Sequence, residues 1–496
     1  MANLARTTSL AELGLTAQGG REAQITGLCV DSREVKAGHL FVALPGSRVH
    51  GGEFIQYALR MGAGAILTDR QGAQIAEAEL KETNIPLVLA QDPRQALAYT
   101  AALWFGVQPD TVVAVTGTNG KTSVATFTRQ IWIGLGYSAV NLGTTGVEGS
   151  YEAPLYHTTP EPTTLHRTLA EIAGAGVTHV AMEASSHGLD QRRLDGVRLT
   201  AAAFTNFSQD HLDYHETFED YFNAKLGLFD RVLSEDGVAV VNIDDPKGID
   251  VADTAMSRGQ DLITIGRTEV ADLRIDAQRF DSTGQVLRFS WNGEPHQVRL
   301  ALIGGFQADN VLAATGLAIG AGAVPRDVFD TLQNLTTVRG RMQLVTSREN
   351  GSAVFVDFAH TPDAVATALS TLRPHVLGRL IVVLGAGGDR DPGKRKPMGQ
   401  AAQQNADLVI VTDDNPRSED PASIRTMVMQ GCPDATEVGD RAEAILRGID
   451  ALQAGDALLI AGKGHESGQI IGDDIFPFDD AEQASVAVAA LDGKST

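Results

Sequence analysis

The run Thr116-Gly-Thr-Asn-Gly-Lys-Thr122 carries the residue types that hold a polyphosphate. Glycines at 117 and 120 let backbone N–H groups turn inward around phosphate oxygens, and a helix opening behind them adds the positive end of its dipole. Lys121 is placed to reach the outer phosphates, and the Thr122 hydroxyl is a ligand for Mg²⁺. Gly117, Thr118, Asn119, Gly120, Lys121, Thr122 and Ser123 are the expected contacts of a nucleoside triphosphate. The usual P-loop has glycine where Val115 stands, so this loop is shorter than the GTPase form. Mg²⁺ also wants hard oxygen ligands gathered at strand ends. Glu183 closes one strand and opens Glu183-Ala-Ser-Ser-His-Gly-Leu189, and His211 follows another within Asp210-His-Leu-Asp-Tyr-His215. Leu212 replaces the glutamate of a zinc-protease pair, so His211 alone reads as a cap or packing residue. Lys225 falls in an amphipathic stretch, 221–233, where spacing alone describes a solvated helix lysine.

A second group of polar loops lies in the last third of the chain. Gly385-Ala-Gly-Gly-Asp-Arg390 starts like a dinucleotide fingerprint, but Arg390 occupies its last glycine position. Asp413-Asp-Asn-Pro-Arg417 and Gly462-Lys-Gly-His-Glu466 follow the next two strands. One such loop would be ordinary charged surface; three in register meet at one sheet edge. Arg390 and Arg417 suit carboxylates, and Asp414 and Glu466 suit an ammonium, so the expected ligand is a zwitterion. Asp357 and His360 sit at another strand end, and Arg339 and Arg341 precede them as cations that could stabilise a transferring phosphoryl group, or simply make linker salt bridges.

The elements that must position these groups read as α/β throughout. A small α/β domain over 1–107 has apolar runs at 25–30, 40–44, 65–68 and 86–90 and ends at the helix breaker Phe105-Gly-Val-Gln-Pro-Asp110. A central P-loop-type mononucleotide-binding domain, 108–338, has strands expected at 111–115, 178–182, 201–205 and 238–243 in a doubly wound parallel sheet. Two-residue alternation over 272–303, with turns at Ser282-Thr-Gly284 and Asn292-Gly293, predicts an antiparallel addition to it. A Rossmann-like domain, 339–496, has strands expected at 353–357, 380–384, 408–412 and 457–460.

With 496 residues, 43% hydrophobic and 21% charged, the chain has globular composition. A net charge of −22 argues against nonspecific nucleic-acid binding but leaves small anions open to local cation clusters. No apolar run is long enough for a membrane helix, and the first residues lack the apolar core of a signal peptide, so a cytoplasmic location without membrane insertion is expected. Cys29 and Cys432 form no paired spacing for a disulfide framework or zinc. No oligomeric state is predicted.

Taken together, these motifs make the chain resemble a Mur ligase over essentially its whole length. It most resembles the members that add meso-2,6-diaminopimelate to UDP-N-acetylmuramoyl-L-alanyl-D-glutamate, because Asp414-Asn-Pro-Arg417 is the form those members carry. The resemblance implies that residues 1–107 bind the UDP-sugar, with Val30, Ser32 in Asp31-Ser-Arg33, and Ser47, Arg48 and Val49 on the nucleotide. Thr158, Thr159, Ser185, Gln191 and Arg193 would then contact the muramoyl dipeptide. It further implies that Asn310 and Arg341 touch ATP, that Glu183 and His211 bind Mg²⁺, and that Lys225 carries a CO₂-derived carbamate. Arg390, Asp414, Asn415, Pro416, Arg417, Gly462 and Glu466 would hold diaminopimelate.

The implied chemistry is amide ligation. The D-glutamate γ-carboxylate attacks the γ-phosphate of ATP to give an acyl phosphate, and the amine of diaminopimelate displaces phosphate, with Lys121, Lys225, His211, Asp357 and His360 as the catalytic set. An L-lysine-adding ligase, a folylpolyglutamate synthetase, a regulatory ATPase and a nicotinamide dehydrogenase are the alternative readings. The long N-terminal domain and the Asp414–Arg417 loop disfavour the synthetase, and the incomplete fingerprint disfavours the dehydrogenase.

Overall fold

The computed structural model describes residues 7–46, 49–208 and 214–493. The chain divides into two compact units, one built from residues up to Ala271 plus Leu312–Phe329, the other from Asp272–Val311 and from Asp330 onward.

The first unit opens with a four-stranded parallel sheet, Gly27–Cys29, His39–Ala43, Ala65–Thr68 and Leu87–Leu89, paired in chain order. The apolar run expected over 25–30 is split. Gln24–Ile25 pairs antiparallel with Thr8–Ser9, and Thr26 leaves the ladder to hydrogen-bond the carbonyls of Ala37 and Gly38. Helix Pro93–Phe105 has clear punctuation: Asp92 caps it, proline opens it, and Gly106 in the left-handed region at φ 71° ends it.

The central sheet of this unit carries the order Asp261–Gly266, Val238–Asn242, Ala201–Phe204, Thr111–Thr116, His179–Glu183, Ala139–Gly143, all parallel, with Gly146–Gly149 antiparallel at its far side. Thr111–Thr116 is β-rich and almost wholly apolar because both its faces are covered, as its buried Val112, Ala114 and Val115 require. The chain leaves this strand for Ala139–Gly143 on one side and later returns to Ala201–Phe204 on the other. Thr111–Thr116 is therefore the switch point, where a crevice opens beyond the carboxyl ends of the strands. The helical stretch expected over 221–233 begins earlier and is broken: an α-helix, Phe218–Gly227, passes into one π-turn, Leu228–Val232, whose Arg231 is anchored on the buried Asp195 carboxylate.

The second unit begins with an antiparallel ribbon, Leu273–Asp281, Gly284–Trp291 and Glu294–Leu300. Asn292 and Gly293, at φ 48° and 85°, form the tight turn that their sequence signals. The six-stranded sheet that follows has the order Gln343–Ser347, Ala353–Asp357, Ala457–Ala461, Leu380–Leu384, Leu408–Val411, Thr436–Glu437, and only its first strand is antiparallel. The last parallel strand in sequence is thus inserted between the first two, bringing its loop to the centre of the sheet edge. A small ribbon, Gly468–Ile471 with Asp474–Pro477, follows it. Among the described residues no helix is long and apolar enough to cross a membrane.

Candidate active site

In the first unit the glycine loop leaves Thr116 at the switch point. Gly117 has φ 145°, and a Cβ there would stand 1.9 Å from the Thr205 hydroxyl, so both conformation and space demand glycine. Gly120, at φ 88°, precedes the helix Lys121–Gly134. The loop is riveted to the end of the neighbouring strand. Thr118 N–H donates to the Asn206 carbonyl at 2.8 Å, Asn119 N–H to Asn206 Oδ1 at 2.9 Å, and Thr205 Oγ1 to the Asn119 carbonyl at 2.6 Å. Lys121 Nζ bends back to the carbonyls of Gly117 and Thr118, both at 3.0 Å. Ser123 lies in the first turn of the helix, partly exposed.

Glu183 faces this loop from the next strand. Its carboxylate accepts from Thr122 Oγ1 at 3.0 Å and from Thr144 N–H at 2.8 Å. Gly143 leaves the room for it, since a Cβ there would sit 2.1 Å from Glu183 Oε1. Burial raises the Glu183 pKa above the ordinary carboxylate value, against the lowering influence of the Thr144 N–H, the Lys121 charge and the hydroxyls of Thr122 and Thr144. A buried carboxylate left above its normal range beside a threonine hydroxyl is a donor pair that a hard cation would satisfy, so Glu183 and Thr122 fit Mg²⁺. Among the described residues no three His, Cys, Asp or Glu side chains cluster. Mg²⁺ does not need such a cage, because it keeps waters and takes phosphate oxygens. His211, like Ser47 and Arg48, lies outside the described residues.

Lys225 contradicts its bland reading as a solvated helix lysine. It is fully buried, its Nζ donates to the Gly117 carbonyl at 2.7 Å, and it lies 4.5 Å from the Tyr221 ring centroid. The helix Phe218–Gly227 turns that face onto the glycine loop.

Next to Glu183, Thr159 Oγ1 donates to the Glu183 carbonyl at 2.9 Å and accepts from Ser185 N–H at 3.0 Å. Thr158 Oγ1 is 3.2 Å from Thr144 Oγ1. Ser185 caps the short helix Ser186–Asp190. Arg193 donates to the Thr159 carbonyl at 2.6 Å and to Gln191 Oε1 at 2.8 Å, while Gln191 Nε2 donates to the Tyr214 hydroxyl at 3.0 Å. The structure thus brings Thr158, Thr159, Ser185, Gln191 and Arg193 into one polar array joined to Glu183. In the N-terminal sheet Asp31 caps the turn Ser32–Glu34, and Arg33 holds its carboxyl down to about 2. Ser32 is buried, whereas Val30 and Val49 are exposed.

In the second unit the three loops do converge. Asp414 and Asn415 are buried, and Gly462 lies against Asp414, whose Oδ2 would be 3.2 Å from a Cβ there. Asn415 Nδ2 donates to Glu466 Oε2 at 2.8 Å. Gly388 packs on Pro416, where a Cβ would meet the carbonyl at 1.9 Å, and Arg417 Nη1 donates to the Gly388 carbonyl at 2.8 Å. Arg417 holds φ 51°, a left-handed conformation uncommon for a non-glycine residue. Arg390 is exposed beside Asp389, which Ser418 fastens through its hydroxyl at 2.6 Å.

Asp357 is less free than a proton acceptor should be. Its two oxygens take the N–H groups of Met342 at 2.7 Å and Ala359 at 2.8 Å, while burial raises its pKa. His360 Nδ1 lies 2.8 Å from the Phe358 carbonyl, so the ring atom left outward is Nε2. Arg341 stacks 4.9 Å from the Phe358 ring centroid, Arg339 pairs with Asp479 at 2.5 Å, and Asn310 donates to Gln307 Oε1 at 3.0 Å. Sequence reasoning missed Thr205, Asn206, Thr144 and Lys463. None of them carried a signal of its own, since each bonds to a partner distant in the chain.

Residues 24–104 match the Mur ligase family catalytic domain, 115–318 the Mur ligase middle domain and 340–464 the Mur ligase glutamate ligase domain. A protein of Bradyrhizobium diazoefficiens named UDP-N-acetylmuramoyl-L-alanyl-D-glutamate–2,6-diaminopimelate ligase is 47% identical over 472 residues, 94% of this chain and 95% of its own. A solved structure of a ligase of the same name superposes with a TM-score of 0.76 at 34% identity, covering 98% of this chain and 99% of that one. The ADP complex of the Thermotoga maritima MurF ligase shares the fold at 19% identity and a TM-score of 0.53, over 93% of this chain and 97% of that one. The three matched domains stand in order along the chain, and identity near one half persists across nearly all of it: the chain belongs to the Mur ligase family.

Proposed function

We propose that this chain is an ATP-dependent amide ligase that joins meso-2,6-diaminopimelate to the D-glutamate γ-carboxylate of UDP-N-acetylmuramoyl-L-alanyl-D-glutamate, a step of peptidoglycan precursor synthesis in the cytoplasm. The observation that carries the reading is the 47% identity, over 94% of the chain, to a relative named for that reaction. The glycine loop supports ATP as the activating substrate, and the Asp414–Arg417 loop with Glu466 supports a zwitterionic acceptor. Residues 1–107 are assigned to the UDP-sugar, 108–338 to ATP and 339–496 to the amino acid.

A carboxylate does not acylate an amine in water without activation, so the γ-carboxylate first displaces ADP from the γ-phosphate of ATP. The N–H groups at the start of the helix Lys121–Gly134 and the Lys121 ammonium hold the phosphates during that transfer, while those of Thr118 and Asn119 stay bonded to Asn206. Thr122, Glu183 and His211 would hold Mg²⁺, which would supply neutralisation of phosphate charge when bound. Lys225 is assigned a carbamate, which would turn a buried cation into an oxygen donor for that ion. Asn310 and Arg341 are assigned to the nucleotide. Arg390, Asp414 and Arg417 orient diaminopimelate so that its amine meets the acyl phosphate carbonyl, and phosphate leaves as the amide forms. His360, rather than the doubly hydrogen-bonded Asp357, is the better placed group to take the amine proton.

Phosphate release from ATP, Mg²⁺ and the UDP-dipeptide, with product mass as readout, tests this against meso-diaminopimelate, L-lysine and no acceptor. A tripeptide product with diaminopimelate alone is the expected result. Equal turnover with lysine would remove the reading of Asp414–Arg417, and release without an acceptor or product would remove the ligase.

A further inference from the structure

Lys463 belongs to no ligand-binding or catalytic set described above, yet it is among the most deeply buried large side chains in the second unit, with none of its surface exposed. An ammonium carries three N–H donors and no acceptor. Two hydrogen bonds and one ion pair hold this one. Nζ lies 2.7 Å from Asn415 Oδ1, 3.0 Å from the Gly468 carbonyl and 3.3 Å from Asp414 Oδ1. These acceptors come from two segments: the loop after the strand Leu408–Val411 and the small ribbon that follows Lys463 itself.

The bond to Asn415 has a consequence for its amide. Asn415 Oδ1 accepts from Lys463 Nζ and also from Ile470 N–H at 3.0 Å, so the oxygen must face those donors. The Nδ2 group is thereby turned to Glu466 and fixes its Oε2 at 2.8 Å. The ribbon locked by Lys463 through Gly468 also closes on the other end of the loop: Arg417 N–H donates to the Ile470 carbonyl at 3.1 Å, and Gly472 N–H to the Arg417 carbonyl at 2.8 Å. Gln469 Nε2 adds a bond to the Asp414 carbonyl at 2.7 Å. One buried ammonium therefore ties together the segments that carry Asp414, Glu466 and Arg417.

We propose that Lys463 is a positioning residue for acceptor recognition, a cross-brace that holds the Asp414–Arg417 loop and Glu466 in the geometry that selects the amino acid. This rests on the ligase reading above. Burying an ammonium is costly even when it is paired, and the contacts of this one fix Asn415, Gly468 and Asp414 relative to one another. A lysine at this point is therefore accounted for by the geometry it imposes.

The test uses the full chain with Lys463→Met and Lys463→Gln, measuring apparent KM for meso-diaminopimelate, ATP and the UDP-dipeptide together with kcat. The expected result for Lys463→Met is a rise in acceptor KM of about tenfold or more with the other two KM values within about twofold, because only the acceptor loops lose their brace. Lys463→Gln, which keeps one donor for Asn415, should fall between it and the parent. In combination with Asn415→Ala the effect should be strongly non-additive, since both changes break the same link. Unchanged acceptor KM, an equal rise in all three KM values, or additivity with Asn415→Ala would overturn the proposal. Should Lys463→Met not fold, Lys463→Gln decides by the same criteria. Absence of diaminopimelate-dependent product from the unaltered chain would instead strike the ligase reading itself.

Discussion

The Thr122 hydroxyl donates to the Glu183 carboxylate at 3.0 Å, which ties the first turn of the helix behind the glycine loop to the end of the adjacent parallel strand. Both groups are oxygen donors, and the carboxylate is buried with its pKa raised by desolvation. Glu183→Gln keeps the shape and the hydrogen-bond reach but removes the charge that a divalent cation would meet. ATP turnover should fall by about a hundredfold or more, as befits loss of transition-state charge stabilisation. The Mg²⁺ concentration for half-maximal rate should rise. Phosphate release titrated with Mg²⁺ checks both, and an unchanged Mg²⁺ dependence would exclude Glu183 as a ligand.

Gly117 gives a second, independent test of the nucleotide site. An alanine there would need φ near 145°, and its methyl would overlap the Thr205 hydroxyl and crowd the Asn206 backbone. The loop would have to move off its rivets at Asn206. Gly117→Ala should abolish measurable ATP binding by calorimetry and lower the melting temperature, whereas Gly136→Ala, where φ is 88° but no atom stands within 4 Å, should cost only backbone strain and leave ATP binding intact.

The glycine loop was legible in the sequence because its chemistry is local: seven consecutive residues carry it, and the apolar strand before it and the helix after it are both visible as patterns. The strands that end in Asp357, at Leu384 and near Thr412 were legible for the same reason, since parallel strands buried on both faces read as unbroken apolar runs. Lys225 and Lys463 were not. Their roles depend on which face of a helix or loop meets a partner more than 40 residues away, as in Lys225 with Gly117 and Lys463 with Asn415, and periodicity carries no such information. The π-turn at Leu228–Val232 was hidden likewise, because its anchor Asp195 lies in a different segment. The contacts expected for the UDP-dipeptide, Thr158, Thr159, Ser185, Gln191 and Arg193, came only from family resemblance. In the structure their hydroxyls and carbonyls bond one another, so no single residue type among them announces a site.

Burial pulls the His166 imidazole down to about 4 from its ordinary 6.5, with the Arg198 charge acting in the same direction and a bond to the Asp195 backbone opposing. The unfolded chain therefore takes up a proton here from about pH 6.5 downward, while the folded chain does not until near pH 4. The contribution to stability is whole above the unfolded value and is lost as pH falls toward the folded one. By pH 5 the loss should be about 2 kcal/mol. Urea unfolding at neutral pH and at pH 5 measures it. His166→Gln should make that part of the slope disappear, whatever the substitution does to stability at neutral pH, and an unchanged slope would refute the assignment.

Arg441 and Asp480 form a fully buried, two-bonded ion pair, with Nε at 2.7 Å and Nη2 at 2.6 Å from the two carboxylate oxygens. The same guanidinium donates to the carbonyls of Ala461 at 3.0 Å and Asp413 at 3.3 Å, the residues immediately before Gly462 and Asp414. The pair therefore anchors the roots of the two loops that begin at Gly462 and Asp414, where Lys463 Nζ also bonds to Asn415. Removing one partner leaves the other charge buried without compensation, so Asp480→Ala should destabilise the second unit by about 3–5 kcal/mol. Replacing both by apolar groups, Arg441→Met with Asp480→Leu, removes the stranded charge and should recover much of that stability in urea unfolding. It should not recover the acceptor site, because no donor then remains for the Ala461 and Asp413 carbonyls. The double variant is expected to be nearly as stable as the parent and still weakened in KM for diaminopimelate. Full recovery of both properties would show that the ion pair serves packing alone.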